Sequence, residues 1–251
     1  MHTCANTVFM DGRVKPDHDG QKSHTRLPAM TVRTLMIDVD GAVIRHPQGL
    51  RWDHDIETDL GVDPAMLQSA FFAVHWPEVI IGRAGLHERL ALALPNFAPH
   101  LTPEAIIAYW FSKDAHLDQG FLDQLVALDG RYGLHLATVQ EHLRAAYIWN
   151  ELALKDHFAA IHYAADYGCG KPDPAFFEAV AQRTGHAPHE LLLIDDSTRN
   201  VAAARASGWR AGLWDGTRTV AEVITEAELR PCAPQAHPRG DTKDTKGREG
   251  H

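Results

Sequence analysis

Five short apolar runs recur along the chain and predict β-strands. The first, at 34–39, stops at a carboxylate and a glycine. The others lie at 134–138, 160–163, 191–194 and 211–213. Runs that are apolar throughout, instead of alternating with polar residues, are typical of strands buried on both faces. The pattern therefore predicts the strands of a buried parallel sheet.

Helical segments with recognisable ends separate the later strands. Asp173 and Pro174 supply an N-cap and a first helical position for a helix through Arg183. Gly208 closes a second helix that begins near Arg199. Alternating strands and helices favour a Rossmann-like, doubly wound α/β fold, with helices on both faces of the sheet. The active crevice of such a fold lies at the carboxyl ends of its strands.

Residues 45–130 interrupt this alternation, because they carry only helix signals. Helices are predicted at 64–72, 86–94, 103–111 and 121–128. We interpret this all-helical insertion after the first strand as a second module that caps the crevice, while 31–44 and 131–229 form the α/β core. The aromatic residues of the insertion, Trp76 and Trp110 among them, are interpreted as the cap's own core.

Composition favours a globular protein with polar ends. Of the 251 residues, 45% are apolar, which is ordinary for a globular chain, and no uncharged apolar run approaches the roughly eighteen residues of a membrane span. Residues 1–30 and 230–251 lack apolar periodicity, and we expect both to be disordered. Met30 precedes the first strand and is a candidate start of translation. No signal-peptide pattern is seen at the N-terminus.

The charge and the cysteines of the chain limit the binding partners and the compartment that we expect. The formal net charge is −9, and residues 31–229 alone carry −12. Such a body repels nucleic acid and anionic lipid, so we expect a small ligand. The three cysteines, Cys4, Cys169 and Cys232, form no CxxC pair, which argues against a zinc ribbon and favours a reducing, cytoplasmic compartment. The oligomeric state is left open.

Six polar residues stand at or just beyond the predicted strand ends, where a doubly wound sheet gathers its functional groups. They are Asp38, Asp40, Thr138, Lys171, Asp195 and Asp196. Several carboxylates in one crevice cannot all stay ionised without a cation between them, and oxygen ligands suit Mg²⁺. The lysine can neutralise a further anion. Carboxylates, Mg²⁺, lysine and hydroxyl together are typical of a phosphoryl-transfer site.

At these residues the sequence resembles the haloacid dehalogenase superfamily. The resemblance covers most of 31–220 and rests on four motifs in order: IDVDG at 37–41, LAT at 136–138, GKPDP at 170–174 and LLIDDSTRN at 192–200. The helical insertion resembles the family's C1-type cap. The resemblance implies a hydrolase, in the first place a Mg²⁺-dependent phosphatase that acts on a small phosphorylated metabolite.

The resemblance also implies a role for each matched residue. Asp38 would attack phosphorus and form an aspartyl phosphate, and Asp40 would protonate the leaving alkoxide and then deprotonate water. Thr138 and Lys171 would bind the phosphoryl group. The implied Mg²⁺ ligands are Asp38, the backbone carbonyl of Asp40, Asp196 as the more direct ligand and Asp195 as the supporting one, with the order of the last two open. Asn200 would hold either the lysine or the metal shell.

Two departures keep alternatives open. Ala42 stands where the family commonly has Thr, and Val139 where Asn often follows the second motif.

Members that cleave carbon–halogen bonds lack the second aspartate, so Asp40 favours phosphate chemistry. A phosphomutase, a phosphonate or haloacid hydrolase, and a non-catalytic binding or regulatory protein are the remaining hypotheses.

Overall fold

The computed structural model describes residues 32–46, 48–128 and 130–230. The segments expected to be disordered, 1–30 and 230–251, lie outside the described residues except for Arg230, and Met30 lies outside them too. Within the described part, no helix is both long enough and apolar enough to cross a membrane.

A parallel five-stranded sheet organises the described residues. Its strands are β1 (Thr34–Ile37), β2 (Gly133–Thr138), β3 (Ala160–Tyr163), β4 (Leu191–Asp195) and β5 (Arg210–Leu213). They are ordered β3-β2-β1-β4-β5 and all pairs are parallel. The predicted fold class is therefore confirmed. β1 ends two residues earlier than its apolar run, because the Val39 carbonyl accepts the Ile44 N–H at 2.8 Å in a turn.

Helices fill the connections between the strands. Those among the described residues are α1 (Ile56–Leu60), α2 (Pro64–Leu67), α3 (Trp76–Val79), α4 (Leu86–Ala93), α5 (Pro103–Lys113), α6 (Gln119–Val126), α7 (His142–Asn150), α8 (Ala164–Tyr167), α9 (Pro174–Thr184), α10 (Thr198–Ala206) and α11 (Val220–Leu229). The Asp173 side chain accepts the Ala175 N–H at 2.9 Å, so the predicted cap of α9 is present. Gly185 ends that helix in the left-handed region, at φ +69°.

Different helices pack on the two faces of the sheet. Leu35 and Ile37 of β1 belong to an apolar cluster that includes residues of α6, α7 and α11. Met36 points to the other face and packs in a cluster with residues of α9 and α10. Successive strand residues alternate between the two faces, so β1 is covered on both sides, as its continuous apolar pattern predicts.

The helical insertion has an apolar core of its own. Residues of α1–α5 form a separate cluster in which Phe71, Trp110 and Phe111 are buried. Trp52 stacks on Trp110 with 4.9 Å between ring centroids. The aromatic residues thus pack mainly against one another, as interpreted from the sequence.

α6 packs with the sheet although it lies within the range expected for the cap. Its residues Phe121, Leu122 and Leu125 are buried in the β1 cluster, and Phe121 lies 4.4 Å from Trp214, centroid to centroid. Helical periodicity does not specify which partner an apolar face meets. α6 therefore packs on the sheet, while the boundary of the cap at residue 130 stays a prediction.

The two chain segments that join the insertion to the sheet run side by side. Arg45 N–H donates to the His116 carbonyl at 2.9 Å, and Asp118 N–H donates to the Val43 carbonyl at 2.9 Å. These two hydrogen bonds form a short antiparallel pair. We call residues 43–46 and 115–118 the paired linkers.

A buried arginine fastens the insertion to the core. Arg144 of α7 is 1% exposed and donates to the carbonyls of Phe111, at 3.2 Å, and Asp114 at the C-terminal end of α5. It also pairs with the Asp114 carboxylate at 3.2 Å. Arg144 thus satisfies carbonyls that the end of α5 would otherwise leave unpaired.

Candidate active site

Three of the sequence-predicted residues lie where strands end. Asp38 directly follows β1, Thr138 ends β2 and Asp195 ends β4. Because β1 is the central strand, between β2 and β4, these ends lie next to one another at one edge of the sheet. Lys171 reaches the same edge from the loop between α8 and α9.

Lys171 connects two of the carboxylates. Its Nζ lies 2.8 Å from Asp38 Oδ1 and 2.5 Å from Asp195 Oδ2. Burial opposes the charge of this ammonium group, but Asp38 and Asp195 outweigh it and raise the pKa of Lys171. The lysine is therefore a buried, charged group held between two acids.

Asp195 is held by several donors besides the lysine. Asn200 Nδ2 lies 3.1 Å from both of its carboxylate oxygens, and Ser197 N–H donates to Oδ1 at 2.8 Å. Ser197 also caps α10 through its hydroxyl, which accepts the Asn200 N–H. These contacts fix the orientation of the Asp195 carboxylate.

A cluster of carboxylates provides a donor set for a divalent cation. Oxygens of Asp38, Asp195 and Asp196 all lie within 4.8 Å of one another. Oxygen donors with negative charge are the ligands that Mg²⁺ prefers. The Asp40 side chain is not part of this cluster, and a role for the Asp40 carbonyl as a ligand stays a prediction.

Gly41 gives Asp196 its place in this cluster. It adopts φ +83°, and a Cβ at this residue would lie 2.1 Å from Asp196 Oδ2. Only glycine combines this backbone conformation with so close an approach. The DG pair at 40–41 therefore has a steric function in the site.

The charges of the site favour a bound cation. Burial raises the pKa of Asp38 to about 8, because the loss of water outweighs the attraction of Lys171. Surrounding protein and the charge of Asp195 also raise the pKa of Asp196. Neighbouring carboxyl groups repel one another when they ionise, and a cation bound between them stabilises their ionised forms. The residues present therefore fit Mg²⁺.

Asp40 stands apart from the carboxylate cluster, at the mouth of the crevice. Gln140 Nε2 donates to its Oδ2 at 2.6 Å. The residue keeps exposed surface, yet enough protein surrounds it to raise its pKa to about 6, through loss of water first and the nearby charge of Asp114 second. Near neutral pH such a group can both give and take a proton.

Thr138 carries an unused hydroxyl. The residue is fully buried, and its Oγ1 has no hydrogen-bond partner among the described residues. A buried hydroxyl without a partner loses the stabilisation that water would give it. A ligand oxygen at the strand ends would provide the missing acceptor.

A cavity opens from Asp40 towards the insertion. It has a volume of about 510 Å³, and its lining includes Asp40, Arg45, Trp52 and Asp114. A cavity of this size suits a small organic molecule. Another cavity, of about 680 Å³ between α9 and α10, is lined by none of the candidate catalytic residues.

The two departures from the family pattern have packing explanations. Ala42 is fully buried in the apolar cluster below the sheet edge, where a methyl group suffices. A Cβ at Gly170 would lie 3.4 Å from Val139 Cγ1, so Val139 packs against the loop that carries Lys171. Both residues support the site through apolar contacts.

Three residues of the site have no signal in the sequence pattern. Gln140 contacts Asp40 across 100 positions of the chain, and Asp114 and Arg144 pair between different elements. None belongs to a motif or a strand end in the way that Asp38 does. Only the fold brings them together.

Comparison with known proteins agrees with the motifs. The family model for haloacid dehalogenase-like hydrolases matches residues 113–208, which include the second, third and fourth motifs. The first motif, with Asp38 and Asp40, lies outside the matched range.

Solved structures of this family share the fold. One is an enzyme from Bacteroides thetaiotaomicron in complex with magnesium and inorganic phosphate (TM-score 0.59, 18% identity, 77% of this chain and 99% of that chain). Another is a predicted HAD-like family hydrolase from Porphyromonas gingivalis (TM-score 0.62, 18% identity, 80% of this chain and 100% of that chain). A third is a 2-haloacid dehalogenase from Pseudomonas syringae (TM-score 0.58, 18% identity, 78% of this chain and 99% of that chain). The resemblance is confirmed, while the C1 type of the cap stays a prediction.

Proposed function

We propose that this chain, a haloacid dehalogenase-like hydrolase by its fold and family match, is a Mg²⁺-dependent phosphatase of a small phosphomonoester. The observation that carries the proposal is Asp40. A second carboxyl group at the crevice, oriented by Gln140 and with a pKa raised to about 6, is the acid that an alkoxide leaving group requires.

The first step transfers the phosphoryl group to the protein. An Asp38 carboxylate oxygen forms a bond to phosphorus while the bond from phosphorus to the ester oxygen breaks. Asp40 gives its proton to the departing alkoxide, which leaves as an alcohol. Lys171 and the Thr138 hydroxyl bind the phosphoryl oxygens and offset their negative charge.

The second step releases phosphate. Asp40, now ionised, takes a proton from a water molecule, and the water oxygen attacks phosphorus. The bond between phosphorus and Asp38 breaks, so that both carboxyl groups return to their starting forms. Asp38, Asp195 and Asp196, with the Asp40 carbonyl, would hold Mg²⁺. When bound, this ion supplies positive charge that neutralises the phosphoryl oxygens.

The other activities leave parts of this arrangement without a role. Carbon–halogen cleavage releases a halide ion, which needs no proton from Asp40. A non-catalytic protein needs neither the buried Thr138 hydroxyl nor a lysine between two acids. A phosphomutase shares the first step and differs only in its product.

The cysteine usage of the chain supports a reducing, cytoplasmic compartment.

The test is phosphate release from an aryl phosphate and from a panel of sugar, alkyl and nucleotide monophosphates, with and without Mg²⁺. We expect turnover that requires Mg²⁺ and is abolished by Asp38→Asn. Halide release from a 2-haloacid with no phosphate release would contradict the proposal. Conversion of a sugar phosphate to its isomer without free phosphate would identify a mutase instead.

A further inference from the structure

We propose that Gln140 is the positioning residue of Asp40: it selects the carboxyl oxygen that presents the proton to the leaving group. This inference rests on the proposed phosphatase function. Gln140 lies outside the four motifs that carry the resemblance, and it acts on the reaction only through Asp40.

The contact is short and buried at its donor end. Gln140 Nε2 lies 2.6 Å from Asp40 Oδ2, and Gln140 is only 4% exposed. Asp40, by contrast, follows β1 on a loop and keeps exposed surface. A carboxylate in that position can rotate about its terminal torsion unless a partner holds it.

The backbone of Gln140 is fixed on both sides. Its carbonyl accepts the Ala165 N–H at 3.1 Å. The next residue, Glu141, caps α7 by accepting the Leu143 N–H at 2.8 Å. Gln140 also lies two residues after Thr138, which ends β2. The amide is therefore carried by a rigid segment, and its position relative to the phosphate-binding end of β2 is constant.

The hydrogen bond distinguishes the two oxygens of Asp40. Oδ2 accepts from the amide N–H, and in a protonated carboxyl group the carbonyl oxygen is a stronger acceptor than the hydroxyl oxygen. The acidic proton therefore resides on Oδ1, the other oxygen of the Asp40 carboxyl group. A leaving oxygen then meets a proton donor of fixed orientation, which is what efficient general acid catalysis requires.

The test compares leaving groups. A nitrophenolate departs without protonation, whereas an alkoxide depends on Asp40. We therefore expect Gln140→Met to lower kcat/KM for an alkyl phosphate by about tenfold to a hundredfold, a fraction of what a general acid contributes, and to leave that for p-nitrophenyl phosphate within about threefold. kcat/KM reports the first step alone, before hydrolysis of the aspartyl phosphate.

Two further variants complete the experiment. Gln140→Asn keeps an amide but is one methylene shorter, so it cannot reach Asp40, and we expect the same selective loss. Gln124→Met is the matched control: Gln124 Oε1 accepts the Val220 N–H at 2.9 Å, between α6 and α11. This variant removes that hydrogen bond and the one that Gln124 Nε2 donates to the Gly120 carbonyl at 3.1 Å, and it should leave the ratio of the two kcat/KM values unchanged.

The outcomes separate this inference from the proposed function. A wild-type protein that releases no phosphate from any ester refutes the function. An active wild type whose Gln140→Met and Gln140→Asn variants lose activity equally on both esters, or on neither, refutes the positioning role. Selective loss on the alkyl ester in both variants supports it.

Discussion

Lys171 Nζ lies 2.5 Å from Asp195 Oδ2, and neither side chain is accessible to solvent. Both partners are thus removed from water. A buried ion pair adds little stability compared with apolar residues of similar size. Removal of one partner nevertheless leaves an uncompensated buried charge, which is strongly destabilising. Lys171 is in this respect a structural residue as well as a candidate phosphate ligand.

Lys171→Met should therefore reduce stability as well as activity. Loss of the ammonium group leaves Asp38 and Asp195 facing each other, and we expect the free energy of unfolding to fall by about 3 kcal/mol. Urea unfolding of the metal-free protein at pH 7 measures this. An unchanged unfolding midpoint would contradict this structural role of Lys171.

The same unfolding experiment has a defined pH dependence in the metal-free wild type. The pKa of Asp38 rises from 3.8 to about 8 on folding, so between these values the folded state binds a proton that the unfolded state has lost. The free energy of unfolding consequently falls as pH rises through this window. Mg²⁺ binds the ionised acids, so its stabilising effect should be larger at pH 8 than at pH 5. The reverse order would contradict the assigned donor set.

Gly41→Ala should weaken Mg²⁺ binding. The new methyl group would meet Asp196 Oδ2 at 2.1 Å, in addition to the strain at φ +83°. Gly49→Ala is the control, because Gly49 has φ +68° and nothing within 4 Å of the Cβ position. Each variant carries the strain of a left-handed residue, about 1 kcal/mol. Calorimetric titration with Mg²⁺ should show loss of affinity only at position 41, and equal affinities would contradict the close approach.

Asp114→Asn should move the alkaline limb of the pH profile. The charge of Asp114 is the largest ionic contribution that raises the pKa of Asp40 to about 6. Without it, Asp40 ionises more readily, its pKa falls, and the acidic form is lost at lower pH. The profile of kcat/KM for an alkyl phosphate measures the shift. Asp123→Asn, on the exposed face of α6, should leave the limb in place.

Arg144→Met should destabilise the protein strongly. The Asp114 carboxylate and the carbonyls of Phe111 and Asp114 lose their buried donor, and we expect a loss of about 3 kcal/mol or more in unfolding free energy. Arg83→Met serves as comparison, since Arg83 is 65% exposed and 3.6 Å from Glu78, where a loss below about 1 kcal/mol is expected. Similar losses of unfolding free energy in both variants would contradict the anchoring role of Arg144.

Elements with local signals could be predicted from the sequence. The Asp-Pro pair at 173–174 caps and opens α9 by interactions within a few residues, and the apolar run at 191–194 became β4 because both faces of that strand are buried. The strand order β3-β2-β1-β4-β5 was not among these predictions and comes from the structure. The six polar residues at strand ends depend on the same geometry.

What the sequence could not supply are contacts between elements. The apolar face of α6 has the same periodicity whether it meets the cap or the sheet, so its partner Trp214 was not foreseeable. Gln140 and Arg144 are polar residues near a helix start, where a solvated position is the ordinary expectation. Their importance follows from burial, which only the folded chain defines.

The paired linkers have a consequence for how the chain is assembled. Because Arg45 and His116 are hydrogen-bonded neighbours, the two cut ends of the core are already adjacent, and a turn of a few residues could join them at little loop-closure entropy. The strands of the core can thus keep their order whatever segment connects Arg45 to His116. The insertion can therefore differ in length without moving these two ends of the core apart.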